Sequence, residues 1–326
     1  MAAETLEFEE PIAVLLKEIE ALRLLPHTDG RDREIESLLR RVESVRAELY
    51  RSLTPWQRVL VARHPNRPDL EDFIQRLFTN FVEIHGDRRY ADDHAIMTGF
   101  AEYKGAPVLL VGHVKGRDTK EKIFRNFGYA RPEGYRKALR AMRLAEKFRR
   151  PIVVFVDTPA AYPGIESEER GVAEAIAVNL RDMMTLDTPI VVIVSGEGGS
   201  GGALGIAIGD RVLMQEFAIY SVIPPEGCAA ILWRDATKKV EAAAALKLTA
   251  PDLLKAGIID EIIGEPIGGA HADPAAAAKQ VDEVLTRVLA DVSALDSGTR
   301  LTLRYEKFRN MGEFIETGAR SAKAAG

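Results

Sequence analysis

The sequence contains a single cysteine, Cys228. One thiol cannot form a disulfide within the chain, which suits a reducing cytosol, and it cannot supply a zinc site with four cysteine ligands. The six histidines show no spacing typical of metal ligands. We therefore expect no metal in this chain, and we expect Cys228 to pack as a small apolar residue.

Long apolar runs are also missing. No run approaches the roughly 20 apolar residues that span a bilayer, and the acidic segment 1–11 lacks the apolar core of a secretory signal. The formal net charge is −5, with 44 basic and 49 acidic residues, so no excess of positive charge points to nucleic acid or to an acidic membrane surface. These features predict a cytoplasmic protein with neither a membrane nor a nucleic acid as partner.

The chain does contain ample material for a core. Its residues are 46% hydrophobic and 29% charged, the balance of an ordinary globular protein. A length of 326 residues corresponds to two domains of about 150 residues, or to one of about 200–250 residues with helical additions. Length alone leaves both organisations open.

Two helical patterns come first in the chain. Apolar residues repeat at spacings of three and four over residues 12–22 and again over residues 35–49, and a breaker-rich segment at 25–30 separates them. This spacing predicts an antiparallel helical hairpin with seams like those of a coiled coil. The hairpin is either a plain packing element or an oligomerisation arm.

After Pro65 and Pro68, short apolar strands alternate with helices. Buried strands that alternate with helices predict an α/β architecture with a largely parallel sheet. We expect a long C-terminal helix capped by Asp273, with Pro274 in its first turn. The other predicted elements are strands at 95–102, 108–114, 152–157, 190–195, 212–215 and 219–223, an apolar segment at 258–263, and helices at 132–149, 171–186 and 238–248.

Residues 195–205 form a glycine-rich segment, Ser-Gly-Glu-Gly-Gly-Ser-Gly-Gly-Ala-Leu-Gly, that follows a buried strand and opens a short apolar helix. Such a junction presents free backbone N–H groups, aided by the helix dipole, to an anion or a polarised carbonyl oxygen. Glycine has no side chain to block a ligand's close approach. Three chemistries compete for this segment.

The first is dinucleotide binding, because Gly196, Gly198 and Gly201 match the G-x-G-x-x-G pattern and Glu216 lies near the expected place of a ribose-binding acid. The spacing argues against it. Residues 202–209 are all that separates the glycines from the next strand, about two helical turns, which is too short for the crossover helix of a dinucleotide fold.

The second chemistry is serine hydrolysis. Gly198, Ser200 and Gly202 match a nucleophile elbow, and Asp260 and His271 follow in the chain order of hydrolases. However, nothing in the sequence fixes His271 near Ser200. The third is an oxyanion hole built from consecutive backbone amides, with no nucleophile from the protein.

The third chemistry agrees with a resemblance to a known family. Motifs from about residue 8 to about residue 274 resemble, in the same order, those of the carboxyltransferase alpha subunits of acetyl-coenzyme A carboxylase. The motifs are FEEPI at 8–12, GDRRYADD at 86–93, TKEKI at 119–123, RNFG at 125–128, PEGYRK at 132–137, DTPAAYPG at 157–164, EERG at 168–171, GEGGSGGAL at 196–204 and YSVIPPEGC at 220–228.

The resemblance implies a crotonase-like (ClpP/crotonase) α/β fold, a spiral of ββα units. It divides the chain into an N-terminal helical hairpin at 1–55, a carboxyltransferase domain at 56–272 and a C-terminal helical extension at 273–326. It also implies a transferase that moves the carboxyl group of carboxybiotin, held on a separate biotin carboxyl carrier protein, to acetyl-coenzyme A. The product is malonyl-coenzyme A, in the first committed step of fatty acid synthesis.

The resemblance further implies that activity requires a beta subunit, in an assembly of two alpha and two beta chains, and that the family's zinc belongs to the beta subunit. Biotin carboxylase completes the set of implied partners. In the site, the backbone amides of Gly201 and Gly202 would hold the ureido oxygen of carboxybiotin. Four more residues are implied to line the biotin pocket: Gly198, Gly199, Ala160 and Ala161.

Two positions depart from the family pattern, which usually has Gly at Ala160 and Ser at Pro224. The methyl group of Ala160 either narrows the biotin pocket or excludes a positive φ there. The basic stretch 115–122, with Arg125, either contacts coenzyme A phosphates or forms a solvated, partly paired loop. A non-catalytic assembly subunit, whose glycines serve close helix packing, is the rival to an enzyme.

Overall fold

The chain forms an α/β structure. The computed structural model describes residues 5–312. Within this range the strands make one eight-stranded sheet. The strands are β1 Thr79–Glu83, β2 Ile96–Tyr103, β3 Ala106–His113, β4 Ile152–Thr158, β5 Ile190–Gly199, β6 Arg211–Gln215, β7 Ile219–Ser221 and β8 Glu261–Ile263. The helices are α1 Glu10–Arg23, α2 Asp29–Arg51, α3 Pro55–Ala62, α4 Leu70–Leu77, α5 Thr119–Phe124, α6 Pro132–Lys147, α7 Ile165–Glu169, α8 Val172–Met183, α9 Ser200–Leu204, α10 Pro225–Trp233, α11 Lys239–Leu246, α12 Ala250–Lys255, α13 Pro274–Ser293 and α14 Ser297–Arg309.

The sheet is mixed, with its parallel part in the middle. The strand order is β1-β2-β3-β4-β5-β6-β8, and β7 pairs with the end of β5. Strands β1 to β3 pair antiparallel, whereas β3, β4, β5, β6 and β8 run parallel. Lys104 and Gly105 form the two-residue turn between β2 and β3, with φ of 49° and 80°; positive φ at both positions matches the twist of a tight hairpin. The predicted largely parallel sheet is confirmed.

One face of the sheet is covered by helices from the middle of the chain. Side chains alternate between the two faces of a strand, so β4 sends Val154 to this face and Val153 to the other. Helix α6 packs Tyr135 and Met142 here, and α8 adds Met183; all three side chains are fully buried. This face carries the helix pair α6 and α8 that supports the glycine-rich segment.

The opposite face is covered by one helix from each end of the domain. Helix α4 contributes Phe73, whose ring stacks on Phe155 of β4 with centroids 4.9 Å apart. Helix α13 contributes Val281, Leu285 and its further apolar stripe. Both faces of the central strands are therefore dry, as the uninterrupted apolar sequence of β4 requires.

The predicted N-terminal hairpin is confirmed. Helices α1 and α2 pack against each other through Ile12, Ile19 and Val42, which are buried, with Ile35 and Leu49 at the edges. The Thr28 side chain caps α2 by accepting a hydrogen bond from the Arg31 N–H at 3.2 Å. No helix in residues 5–312 is long and apolar enough to cross a bilayer.

The predicted C-terminal helix begins where expected but ends earlier than a single long helix would. Asp273 Oδ1 accepts from the Ala276 N–H at 2.9 Å at the start of α13, and Asp296 caps the separate helix α14. The guanidinium of Arg304 then anchors α14 with a bidentate pair to Asp210, both distances being 2.8 Å. The division at 1–55, 56–272 and 273–326 stays a prediction, and residues 1–4 and 313–326 lie outside the described part of the chain.

Candidate active site

The glycine-rich segment begins as a strand. The sequence predicted that the strand would end at Ser195, but β5 continues to Gly199. Beyond Ser195 the strand leaves β6 and pairs in parallel with β7, with Glu197 opposite Ile219. Gly198 needs to be a glycine because a Cβ there would lie 2.7 Å from the ring of Tyr220.

The strand turns directly into the short helix α9. Ser200, its first residue, has φ of 48°, a left-handed conformation that is uncommon for a residue with a side chain. Gly201 and Gly202 follow in the first turn, where backbone N–H groups have no carbonyl partner within the helix. The fold thus presents two consecutive peptide donors at the carboxyl end of β5.

The loop after β4 lies against these glycines. A Cβ at Gly199 would overlap the Pro159 carbonyl, and a Cβ at Gly202 would overlap the peptide joining Ala160 to Ala161. The structure therefore brings Gly202 into direct contact with Ala160 and Ala161, whereas Gly199 contacts the preceding residue of the same loop, Pro159. Ala160 is not among the residues with positive φ in the described chain, so its methyl group imposes no backbone strain.

Gly201 faces in a different direction from Gly202. A Cβ at Gly201 would meet Ile176 at an ordinary contact distance of 3.6 Å. Gly201 lines a 230 Å³ pocket with largely apolar walls, and three polar residues, Ser200, Tyr220 and Ser221, also line it. The rest of the lining is Leu204, Val222, Leu253 and Ile258. A polarised oxygen on an apolar ring system matches the backbone donor of Gly201 and the walls of this pocket.

A charged network lies beneath the glycines, at the carboxyl ends of β3, β4 and β5. Lys115 Nζ lies 2.5 Å from Asp157 Oδ1 and 2.8 Å from Glu197 Oε2. Arg63 binds the other oxygen of Glu197 at 2.7 Å and also binds Glu226 at 2.7 Å. Five groups from five segments are therefore joined in one chain of ion pairs.

The same network sets the charges of its members. Burial would lower the pKa of the Lys115 ammonium, but Asp157 and Glu197 outweigh it and raise that pKa. Burial would raise the pKa of Glu197, but Lys115 and Arg63 outweigh it and lower that pKa. Both groups are therefore charged at neutral pH, and neither is poised as a general base.

Two of the four basic residues at 115–122, Lys115 and Arg117, form ion pairs, as does Arg125. Besides Lys115, Arg117 lies 2.9 Å from Asp72, and Arg125 lies 2.5 Å from Glu71. Sequence reasoning missed the network itself, because Arg63 and Glu197 are 134 residues apart. A glutamate inside a glycine run was the available signal.

Helix α9 is clamped from behind by a buried amide. The Asn179 side chain donates to the Gly205 carbonyl at 2.8 Å and to the Tyr135 carbonyl at 2.9 Å. The Tyr135 ring also occupies the space beside Gly205. His113, fully buried at the end of β3, lies near the Gly202 carbonyl, and neither of its ring nitrogens has a hydrogen-bond partner among the described residues.

The structure does not provide the arrangement of residues that either rival chemistry requires. Asp260 precedes β8 and pairs with Lys307 of α14, at the end of the sheet opposite to Ser200. His271 stacks on His64 with ring centroids 3.8 Å apart, beside Arg46 of α2. These three groups form no triad. Helix α9 spans five residues, which confirms that no crossover helix of a dinucleotide fold follows the glycines.

Comparisons with known proteins identify the family of this chain. A family model described as acetyl co-enzyme A carboxylase carboxyltransferase-like matches residues 5–312. The chain belongs to this family. A relative from Geobacter metallireducens, called acetyl-coenzyme A carboxylase carboxyl transferase subunit alpha, is 55% identical over 312 residues, covering 95% of this chain and 98% of the relative. One from Thiobacillus denitrificans with the same name is 53% identical over 322 residues, covering 98% of this chain and all of the relative.

The fold also matches a solved carboxyltransferase. A crystal structure of transcarboxylase 12S with methylmalonyl-coenzyme A bound has a TM-score of 0.54 and 21% sequence identity. The match covers 68% of this chain and 42% of that chain. At this identity the likeness concerns the fold alone, and it confirms the predicted crotonase-like α/β class.

Proposed function

We propose that this member of the acetyl-coenzyme A carboxylase carboxyltransferase-like family is the alpha half of a carboxyltransferase that makes malonyl-coenzyme A from acetyl-coenzyme A. A relative that is 55% identical to this chain over nearly its full length is named as that subunit. The observation that carries the proposal is the first turn of α9, in which Gly201 and Gly202 are consecutive and Gly201 lines an apolar pocket.

The residues present fit a carboxybiotin donor. Its ureido oxygen is a polarised acceptor for the amides of Gly201 and Gly202, and its ring system is of a size and polarity suited to the 230 Å³ pocket. Donors aimed at developing charge are each worth about 3–4 kcal/mol. Carboxybiotin supplies the carboxyl group and a ring nitrogen able to take a proton. The site therefore needs no general base from the protein, which agrees with the ion pair that holds Lys115 and Glu197.

The pocket is half of a site. Its rim is open, and Val222 is 74% exposed beside the partly exposed Leu204 and Ile258. Apolar groups at the mouth of a ligand pocket favour a protein partner that completes it. We assign this role to a beta subunit that binds the acyl-coenzyme A, in an assembly of two alpha and two beta chains, with zinc on the beta subunit.

The same proposal includes the biotin carboxyl carrier protein, which brings carboxybiotin to the pocket, and biotin carboxylase, which charges that carrier. Fatty acid synthesis in the cytoplasm is the setting. Binding of biotin at Gly198, Gly199, Ala160 and Ala161 is also proposed, since Gly199 packs on the Pro159 carbonyl of the loop that carries the two alanines.

The test is carboxyl transfer between malonyl-coenzyme A and free biotin. We expect no turnover from the purified chain alone and robust turnover after addition of the beta subunit. Turnover by the rigorously purified chain alone would contradict the half-site. Assembly without turnover in the mixture would favour the rival, a non-catalytic assembly subunit.

A further inference from the structure

A second cleft lies between helices α6 and α8, next to the loop that follows β1. Its volume is 420 Å³, and it shares no lining residue with the apolar pocket at Gly201. Two acidic residues, Asp87 and Glu174, belong to its lining. Five arginines line it: Arg89, Arg136, Arg140, Arg143 and Arg181.

Three of these arginines already have carboxylate partners. Arg136 Nε donates to Asp87 Oδ2 at 2.7 Å, and Asp87 has no exposed side-chain surface. Arg143 and Arg181 share the single carboxylate of Asp182. Two guanidinium groups on one carboxylate leave that pair with an excess of positive charge.

The other two arginines have no carboxylate partner in residues 5–312. Arg140 directs its guanidinium to the backbone carbonyls of His85 and Gly86, each at 2.8 Å. The side chain of Arg89 forms no ion pair in this part of the chain, and the residue is exposed. Burial, with a smaller contribution from the nearby Arg88, lowers the pKa of Arg140, although the carboxylates of Asp87 and Asp92 act in the opposite direction.

The placement of the arginines is ordered. Arg136, Arg140 and Arg143 occupy positions four and three apart on α6, so they lie along one face of the helix. Arg89 approaches from the loop, and Arg181 approaches from α8. Guanidinium groups converging from three segments bind phosphate oxygens through paired N–H donors, a geometry that a lysine cluster would not provide.

We propose that this cleft binds a small anion carrying two or more phosphate groups. The volume of 420 Å³ accommodates a ligand between a diphosphate and a nucleotide in size. Asp87 does not oppose such a ligand, because Arg136 and the backbone N–H groups of Arg89, Tyr90 and Ala91 occupy its oxygens. Glu174 is the one exposed carboxylate at the rim.

The cleft is connected to the glycine segment through one residue. Asn179 lines the cleft and also donates to the Gly205 carbonyl at the end of α9. A ligand that draws α6 and α8 together therefore acts on the side chain that clamps α9. We expect amide hydrogen exchange in residues 200–205 to slow when the cleft is occupied, and unchanged exchange at saturation would overturn this connection.

Calorimetric titration of the full-length chain with pyrophosphate tests the binding site without relying on enzymatic activity. At matched ionic strength we expect pyrophosphate to bind at least tenfold more tightly than citrate. Arg89→Gln and Arg140→Gln should each weaken pyrophosphate binding about tenfold. Arg33→Gln, which removes an exposed arginine of α2 that does not line the cleft, should leave pyrophosphate binding unchanged.

Arg140 also holds the 85–86 backbone, so Arg89→Gln is the decisive variant if Arg140→Gln misfolds. Equal binding of citrate and pyrophosphate would overturn phosphate recognition, and equal binding to the parent and Arg89→Gln would overturn the assigned site. Displacement of pyrophosphate by malonyl-coenzyme A would reassign the cleft to the phosphates of the substrate. Binding of an RNA oligonucleotide with no response to pyrophosphate would also overturn the proposal.

Discussion

Gly202 lies so close to Ala160 that a single added carbon at Gly202 would occupy the space of the Ala160 backbone. The contact joins the first turn of α9 to the loop after β4, so the two proposed donors and one wall of the biotin site share a single packed junction. A side chain at Gly202 would displace the site's own loop before it met any ligand.

This contact predicts opposite effects at neighbouring glycines. Gly202→Ala should lower the free energy of unfolding by about 1–3 kcal/mol through overpacking and reduce carboxyl transfer on the order of 10²-fold if a donor is lost. Gly201→Ala, whose methyl would meet Ile176 at 3.6 Å, should fold with equal or greater stability. Urea denaturation of both variants checks this, and equal losses at the two positions would contradict it.

Ser200 separates the oxyanion chemistry from the hydrolase chemistry. The Ser200→Ala variant keeps the Cβ and removes a hydroxyl that makes no hydrogen bond within residues 5–312, so the assembled enzyme should retain most of its turnover. The parent should also resist labelling by a fluorophosphonate. An inactive Ser200→Ala variant that folds and assembles like the parent would instead support Ser200 as the nucleophile of a hydrolase.

His113 predicts a pH dependence of stability. Burial, with a contribution from Lys115, lowers the pKa of His113 from 6.5 to about 3. Because the folded pKa is the lower one, this histidine's contribution to stability is present above about pH 6.5 and is lost as the pH falls toward about 3. Its share is a slope of about 1.4 kcal/mol per pH unit. His113→Leu should make the unfolding free energy less dependent on pH between about 6 and 4 by that amount, and an unchanged slope would refute this.

The pair of Arg304 and Asp210 predicts how firmly α14 is held. Both side chains are buried, so Arg304→Ala leaves an unpaired carboxylate and should cost about 3–5 kcal/mol in unfolding free energy. The matched control is Arg287→Ala, which removes a half-exposed partner of Glu261 and should cost about 0–1 kcal/mol. Similar losses in the two variants would show that α14 does not depend on this anchor.

Much of the sheet follows from the sequence, because β4 and β5 are apolar runs that suit burial on both faces. The hairpin of α1 and α2 follows from its spacing in the same way. Helices α3, α4 and α10 were not predicted, since each contributes a short apolar stripe that a local pattern does not distinguish from a loop. Strand β1 was also not predicted, because its five residues are only partly buried and give too short a pattern.

The glycine segment has features that local sequence patterns do not predict. The sequence places Gly201 and Gly202 at the start of a helix, but it does not show that β5 continues to Gly199, because that extension depends on pairing with β7. The contact of Gly202 with Ala160 and the clamp at Asn179 likewise join residues far apart in the chain. Such contacts follow from tertiary packing and not from spacing.

The sheet face that α4 and α13 cover is completed late in the synthesis of the chain. Helix α4 is translated early, whereas α13 ends at Ser293, after the last strand, β8, has been completed. A nascent chain that has just finished Ile263 therefore carries inner strands whose second face is covered by α4 but lacks the apolar stripe of α13. Exposed apolar surface of this kind attracts chaperones and promotes aggregation. This layer can therefore close only after α13, which ends at Ser293, has been translated, and a chain that terminates near Gly264 is expected to aggregate.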